Sequence, residues 1–223
     1  MKPELIITGD GSHTVSLSDG NVMYHSRHGA VQESMHVFIG AGLHYVWNLK
    51  TNIRILEMGL GTGLNALLTC MEADRQCKST DYHCIEAFPI GWPLVAQLNY
   101  PDFLNTPDAS LFLEKIHTLA PEVPFFISPF FSFTLHHTAL QDFVSPEKFD
   151  LIYFDAFAPE TQPELWTEEI FKKLFCMTAP GGILVTYCSK GIVRRAMQAA
   201  GYTVDKLPGP PGKREIVRAI KLT

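Results

Sequence analysis

Three glycines at alternate positions, Gly59, Gly61 and Gly63, follow the carboxylate Glu57 and precede Asn65 in the stretch IRILEMGLGTGLNALL. Glycine at this spacing lets the main chain take positive φ and lets a ligand come close to the backbone. The apolar run before the glycines reads as a strand and the amphipathic run after them as a helix. A nucleotide-like cofactor binds where such a strand ends. G-x-G-x-G is shorter than the dinucleotide fingerprint and does not choose a cofactor by itself. A second strand, DYHCIEAF, ends in Glu86, where a carboxylate can accept both hydroxyls of a ribose. No G-K-[ST] follows the glycines, which excludes a triphosphate P-loop. Glu57 would repel a pyrophosphate and suit a cation. S-adenosylmethionine, with its sulfonium and ammonium, is therefore expected in preference to NAD.

The elements that must position these residues fit one compact α/β domain. The chain has 223 residues, 46% of them hydrophobic, enough to fill a single core. Its formal net charge of −5 gives no global signature of nucleic-acid binding. Five cysteines (Cys70, Cys77, Cys84, Cys176, Cys188) form no C-x-x-C pair and no zinc spacing. They read as free thiols of a reducing compartment. The apolar run near the N-terminus is too short for a signal peptide, and no stretch is long enough to span a membrane. A soluble cytoplasmic protein is expected.

In the first fifty residues ELIIT, HTVSLS and NVMYH read as short strands separated by GDG and DGN turns. QESMHVFIGAGLHYVWNL then reads as a helix interrupted by glycine. This predicts an N-terminal β/α extension over residues 1–50, packed on a core over residues 51–223. In that core strands and helices alternate, as in a largely parallel sheet covered on both faces. FPIGWPLVAQL, ASLFLEKIHTLA, PELWTEEIFKKLFCMT and GIVRRAMQAAG are predicted helices; SFTLHHTAL, KFDLIYFDAF and GILVTYC are predicted strands. YTVDKLP and EIVRAIKLT close the chain through a short loop, so one of them must run antiparallel. A mostly parallel seven-stranded sheet with an antiparallel last strand is the Rossmann-like arrangement of class I methyltransferases.

Four blocks carry a resemblance to one family over nearly the whole chain: NVMYHSRHGAVQESMHVFI, EMGLGTGLNALL, FDLIYFDAFAPETQPELW, and CSKGIVRRAMQAAGYTV followed by GKREI. Together they resemble the methyltransferase half of the MnmC-like family, whose bifunctional members complete 5-methylaminomethyl-2-thiouridine in tRNA. The third block is the most specific, because its aspartate, A-P, proline and tryptophan sit at fixed spacing. Ala156 stands where the family has glycine, and Thr161-Gln162-Pro163 where it has K-N-P. The family's acid near the adenine is replaced in Ala139-Leu140-Gln141, with Asp142 expected to serve instead. Family members carry a flavin oxidase domain after this one. Ending at Thr223, this chain is expected to act without it, a separate enzyme supplying the aminomethyl-uridine.

The resemblance implies an S-adenosylmethionine-dependent N-methyltransferase acting on tRNA. Methyl transfer to an amine is an in-line displacement, so the protein mainly positions the partners and supplies a suitable field. Asp155 ends the strand beside the glycine loop and is the expected catalytic residue, orienting the amine and stabilising its developing charge. The plainer reading is an aspartate capping the following turn. Glu33 is implied to reach the methionine ammonium if the N-terminal segment folds over the pocket. Glu57, Gly59, Gly61, Gly63, Asn65, Glu86, Asp142 and Asp155 complete the expected cofactor set.

Phe157 and Trp166 are expected to form an aromatic wall for a base, although Trp166 reads equally well as a core residue. Lys190, Arg194, Arg195, Lys206, Lys213 and Arg214 gather in the last third and form a candidate patch for tRNA phosphates, or simply a solvated helix face. Arg27 and His28 are placed at the substrate entrance. His136 and His137 are adjacent on a strand and face opposite ways, so no metal site is expected. Two alternatives stay open: a methyltransferase for a small-molecule amine, and a non-catalytic module that binds RNA or a partner enzyme.

Overall fold

The computed structural model describes residues 3–17 and 22–222. Strands β1 (Glu4–Ile7), β2 (His13–Leu17) and β3 (Val22–Met23) form a small antiparallel meander. The Asp19-Gly20-Asn21 turn expected between the last two lies outside the described residues. Residues 30–47 then make one helical run: α1 (Ala30–Ser34), a π-helical stretch (Met35–His44) and α2 (Tyr45–Trp47).

Where the sequence predicts a glycine interruption, the helix instead widens into π-turns through Gly40 and Gly42. Gly42 lies directly on the main sheet. A Cβ there would stand 3.0 Å from Val185 Cγ2 and 3.2 Å from Tyr153 Cε1. Gly42→Ala is therefore expected to cost about 1–3 kcal/mol through overpacking. A lower urea midpoint with an unchanged slope would show it.

The core continues as β4 (Ile53–Met58), α3 (Leu64–Gln76), β5 (Thr80–Ile85), α4 (Trp92–Val95), α5 (Tyr100–Leu104), α6 (Ala109–Thr118), β6 (Phe125–Ser128), β7 (Phe131–His136) and β8 (Phe149–Phe154). It ends with α7 (Glu168–Met177), β9 (Thr178–Thr186), α8 (Gly191–Ala199), β10 (Thr203–Pro208) and β11 (Glu215–Ile220). The main sheet has the order β10-β11-β9-β8-β4-β5-β7-β6. Pairings among β9, β8, β4, β5 and β7 are parallel, and β11 runs antiparallel to both its neighbours. This is the expected class I arrangement.

Three details differ from the sequence reading. The sheet has eight strands rather than seven, because β6 adds an antiparallel edge to β7. Its four residues sit between Pro124 and Pro129 and show no clean alternation. FPIGWPLVAQL yields only the single turn α4, since Pro93 can start a helix and Gly91 precedes it. In PELWTEEIFKKLFCMT the first residues form a 3₁₀ turn, and α7 starts only after Thr167, whose hydroxyl caps Ile170 N at 3.4 Å.

Each face of the sheet carries its own apolar layer. Residues of the 30–47 run, α3 and α6 pack on one face around Phe38, Tyr82 and Tyr153. On the other, α7 contributes Ile170, Phe171 and Leu174, and α8 contributes Val193 and Met197. Strand β4 has β5 on one side and β8 on the other. The order reverses there, which opens a crevice beyond the carboxyl ends of β4 and β8.

Candidate active site

The glycine loop leaves β4 with Gly59, Gly61 and Gly63 at φ of 91°, 52° and 77°. All three lie in the region that disfavours side chains. Gly59 also passes close to the neighbouring strand end, since a Cβ there would be 3.1 Å from the Asp155 carbonyl oxygen. The imidazole of His117 braces the loop from behind, its Nε2 3.1 Å from Thr62 O, and burial holds its pKa below the usual value. Glu86, just past β5, accepts from Gly61 N at 3.2 Å and from Phe88 N at 2.8 Å. The tip carboxylate is thus tied to the glycine loop. Gly59, Gly61, Glu86 and Phe88 border a cavity of about 300 Å³.

Asn65, in the first turn of α3, joins the two other carboxylates. Its Nδ2 donates to Glu57 Oε1 and to Asp155 Oδ2, each at 2.9 Å. Glu57 is 1% exposed and also accepts from Cys84 Sγ at 3.3 Å. Burial pushes its carboxyl up to about 8, and the nearby Asp155 charge adds to that, against the Asn65 hydrogen bond. Glu57 stands behind the cavity wall. It is not among the residues lining the cavity, where the sequence reading set it facing a cationic ligand, and it meets the lining through Asn65. Asp155 does line the cavity. Burial first and the charge of Glu33 second raise its carboxyl to about 7, while Asn65 and Lys213 pull the other way.

The N-terminal segment and the β10–β11 loop reach the same cavity. Tyr24 lies across Gly61 and meets Phe157 edge to face at 5.0 Å. Its hydroxyl is pushed up to about 12 by burial and by Glu86. Glu33, in α1, does reach the pocket, but its partner is Lys213 at 2.6 Å. The Lys213 ammonium lies 3.9 Å from the centre of the Tyr187 ring.

The other expected residues divide. Trp166 is buried in the core, edge to face with Phe154 at 4.9 Å, and donates from Nε1 to Phe157 O at 2.8 Å. It holds the Phe157 loop rather than forming a wall for a base. Asp142 is exposed in the turn after Ala139 and does not line the cavity. Lys190 is paired with Glu160, and Arg194 donates to Ser189 O at 3.2 Å. Lys206 is paired with Glu215 at 2.8 Å. Arg195 and Arg214 are exposed. Arg27 contacts Met23 Sδ, and the His28 ring packs on Gly212; neither lines the cavity.

His136 bonds Glu122 at 2.7 Å and the stacked His83 at 3.0 Å. No group of three or more His, Cys, Asp or Glu among the described residues is arranged to hold a metal ion. All five cysteines are free, with Cys70, Cys84 and Cys188 buried. No helix among the described residues is long and apolar enough to cross a membrane. Sequence reasoning missed Tyr24, Tyr187, Phe88 and His117. Tyr24 lies inside a quoted block and Phe88 two residues after Glu86, so position alone could have found them.

The site fits S-adenosylmethionine. It has a glycine loop open to close approach, a ribose-height carboxylate at Glu86, and a buried Asn65 Oδ1 with no partner among the described residues. The family whose model matches residues 133–222 is described as S-adenosyl-L-methionine-dependent methyltransferase. The bifunctional tRNA 5-methylaminomethyl-2-thiouridine biosynthesis protein MnmC of Aromatoleum aromaticum is 30% identical over 96% of the chain and 34% of its own length. That of Cupriavidus metallidurans is 31% identical over 97% of the chain and 33% of its own length. The chain spans about a third of these relatives.

Among solved structures, MNMC2 from Aquifex aeolicus superposes with a TM-score of 0.76 at 24% identity, covering 98% of this chain and 70% of that one. Spermidine synthase from Thermotoga maritima shares the fold with a TM-score of 0.59 at 14% identity, covering 98% of this chain and 69% of that one. The chain is a class I S-adenosylmethionine-dependent methyltransferase domain closely related to the MnmC-like family.

Proposed function

We propose that this methyltransferase acts on the 5-aminomethyl group of the wobble (2-thio)uridine of tRNA. The observation that carries the reading is Asp155, a carboxylate at the cavity wall that Asn65, in the first turn after the glycine loop, ties to Glu57. Bound in the crevice, S-adenosylmethionine would supply a methyl on cationic sulfur for in-line transfer to the amine lone pair, the C–S pair staying on sulfur. Asp155 orients the amine, stabilises the positive charge that develops on nitrogen, and accepts the proton that nitrogen then loses. Phe157 and Tyr24 offer ring surfaces beside it for a base.

The relatives' names concern this tRNA base, and they are bifunctional. A separate enzyme would supply the primary amine, and a cytoplasmic location goes with that role. Residues 1–50 serve in this reading as an extension roofing the 51–223 core. Exposed Arg195 and Arg214, with Lys190, would meet phosphates.

A small-molecule amine is the second reading. It is favoured by the pairing of Lys190, Lys206 and Lys213 with acids, which thins the basic patch. Comparing kcat/KM on under-modified tRNA and on the free aminomethyl nucleoside separates the two. Arg195→Glu with Arg214→Glu is expected to lower the tRNA value about tenfold or more at low salt and leave the nucleoside value unchanged. An unchanged tRNA value supports the small-molecule reading. Cofactor binding without turnover on either supports a non-catalytic module.

A further inference from the structure

Lys213 is the one lysine or arginine among the described residues that line the cavity. Its position is built rather than incidental. Loop residues 209–214 fold back on themselves, with Lys213 N donating to Pro210 O at 2.9 Å and Gly209 N to Arg214 O at 3.1 Å. Gly212 presses against the His28 ring so closely that any side chain there would collide with it. The ammonium is then fixed by Glu33 at 2.6 Å and by the Tyr187 ring at 3.9 Å.

The groups facing it come from four elements. They are Glu33 from α1, Asp155 past β8, Tyr187 and Cys188 past β9, and His25 past β3. Burial holds His25 down at about 4, so it adds no positive charge near neutrality.

An aliphatic amine entering a cavity with Glu33 and Asp155 in its wall would be held as its ammonium, which has no lone pair for attack. A second fixed ammonium changes this balance. It neutralises Glu33 and disfavours another positive charge nearby. We infer that Lys213, locked to Glu33, sets the protonation state of the acceptor and keeps the bound amine neutral and nucleophilic. The ammonium's proton leaves to solvent before the N–C bond forms, which leaves Asp155 ionised to take the proton that the methylated nitrogen then loses. This inference rests on the amine-methyltransferase reading above. It places Lys213 inside the reaction cavity, whereas the sequence reading put it on tRNA phosphates.

The test is the pH profile of single-turnover methyl transfer for wild type, Lys213→Met and Lys213→Arg. Lys213→Met is expected to move the acidic limb up by about one pH unit. That makes it about tenfold slower at the acid end and equal to wild type at the alkaline end. Lys213→Arg should restore the wild-type limb, and cofactor Kd should stay within about twofold in both variants. In cofactor-free protein, ¹³C titration of the aspartate carboxyls should show the Asp155 midpoint raised by Lys213→Met, since Lys213 now holds it down.

An unchanged acidic limb, or an equal loss at every pH, overturns the inference. So does a reduced salt dependence of tRNA binding with no change of profile, which would mark a phosphate contact. Lack of wild-type turnover on any amine overturns the proposed function and the inference with it. Wild-type turnover with an unmoved limb overturns the inference alone.

Discussion

Asp155→Asn is expected to lower methyl transfer by about 10²–10³-fold, the range for loss of a preorganised group aimed at developing charge. Asparagine keeps the shape and can still accept from Asn65 through its Oδ1. What it loses is the negative charge beside the nitrogen and the capacity to take a proton. Cofactor affinity should stay within about threefold, because Glu86 and the glycine loop are untouched.

The pH profile gives a second readout with a definite sign. The Asp155 carboxyl is raised from 3.8 to about 7, so it is protonated and inactive as a base below that value. Wild-type rate should rise with pH through about 7, and the asparagine variant should lose the part of that rise set by Asp155 and keep only the part set by the acceptor amine. Glu57, raised to about 8, stays largely protonated over the same window and contributes no competing base. A wild-type profile without an acidic limb near neutrality would remove the proton-accepting role from Asp155.

Glu86→Ala is expected to weaken S-adenosylmethionine binding by about 10–100-fold, the equivalent of roughly 1.5–3 kcal/mol for hydrogen bonds to a charged group. Two effects combine. The substitution removes the acceptor for the ribose hydroxyls, and it frees the Gly61 and Phe88 amides that Glu86 now holds. Glu86→Gln, which keeps one acceptor oxygen without the charge, should fall between. Glu86 is only partly buried, so thermal unfolding should change little and separate a binding loss from a folding loss. Calorimetric titration reads the affinity directly. Equal affinity in wild type and Glu86→Ala would move the cofactor out of this crevice.

The parts of the site that were legible in the sequence are those made by short-range patterns. An apolar strand, three glycines and an amphipathic helix specify one another within sixteen residues, and Gly59, Gly61 and Gly63 each stand at positive φ as that order requires. Glu86 and Asp155 were legible because each directly follows an apolar strand run, which fixes it at the crevice end of the sheet.

What was not legible depends on contacts between distant segments. Lys213 looks like a surface cation in G-K-R-E; only the folded hairpin brings it to Glu33. Trp166 could not be sorted between wall and core until its Nε1 was seen to hold Phe157 O. Asp142 is the nearest acid to the replaced position in the sequence, yet the turn after Ala139 leaves it exposed. Strand β6 escaped because its flanking prolines read as loop, and an edge strand needs backbone pairing on one side only.

The most direct test of the account is mass spectrometry of nucleosides from under-modified tRNA carrying the 5-aminomethyl base, after incubation with the protein and S-adenosylmethionine. Wild type is expected to yield the singly methylated aminomethyl nucleoside, and Asp155→Asn almost none. Wild-type protein that binds the cofactor yet leaves that nucleoside unmethylated would contradict it.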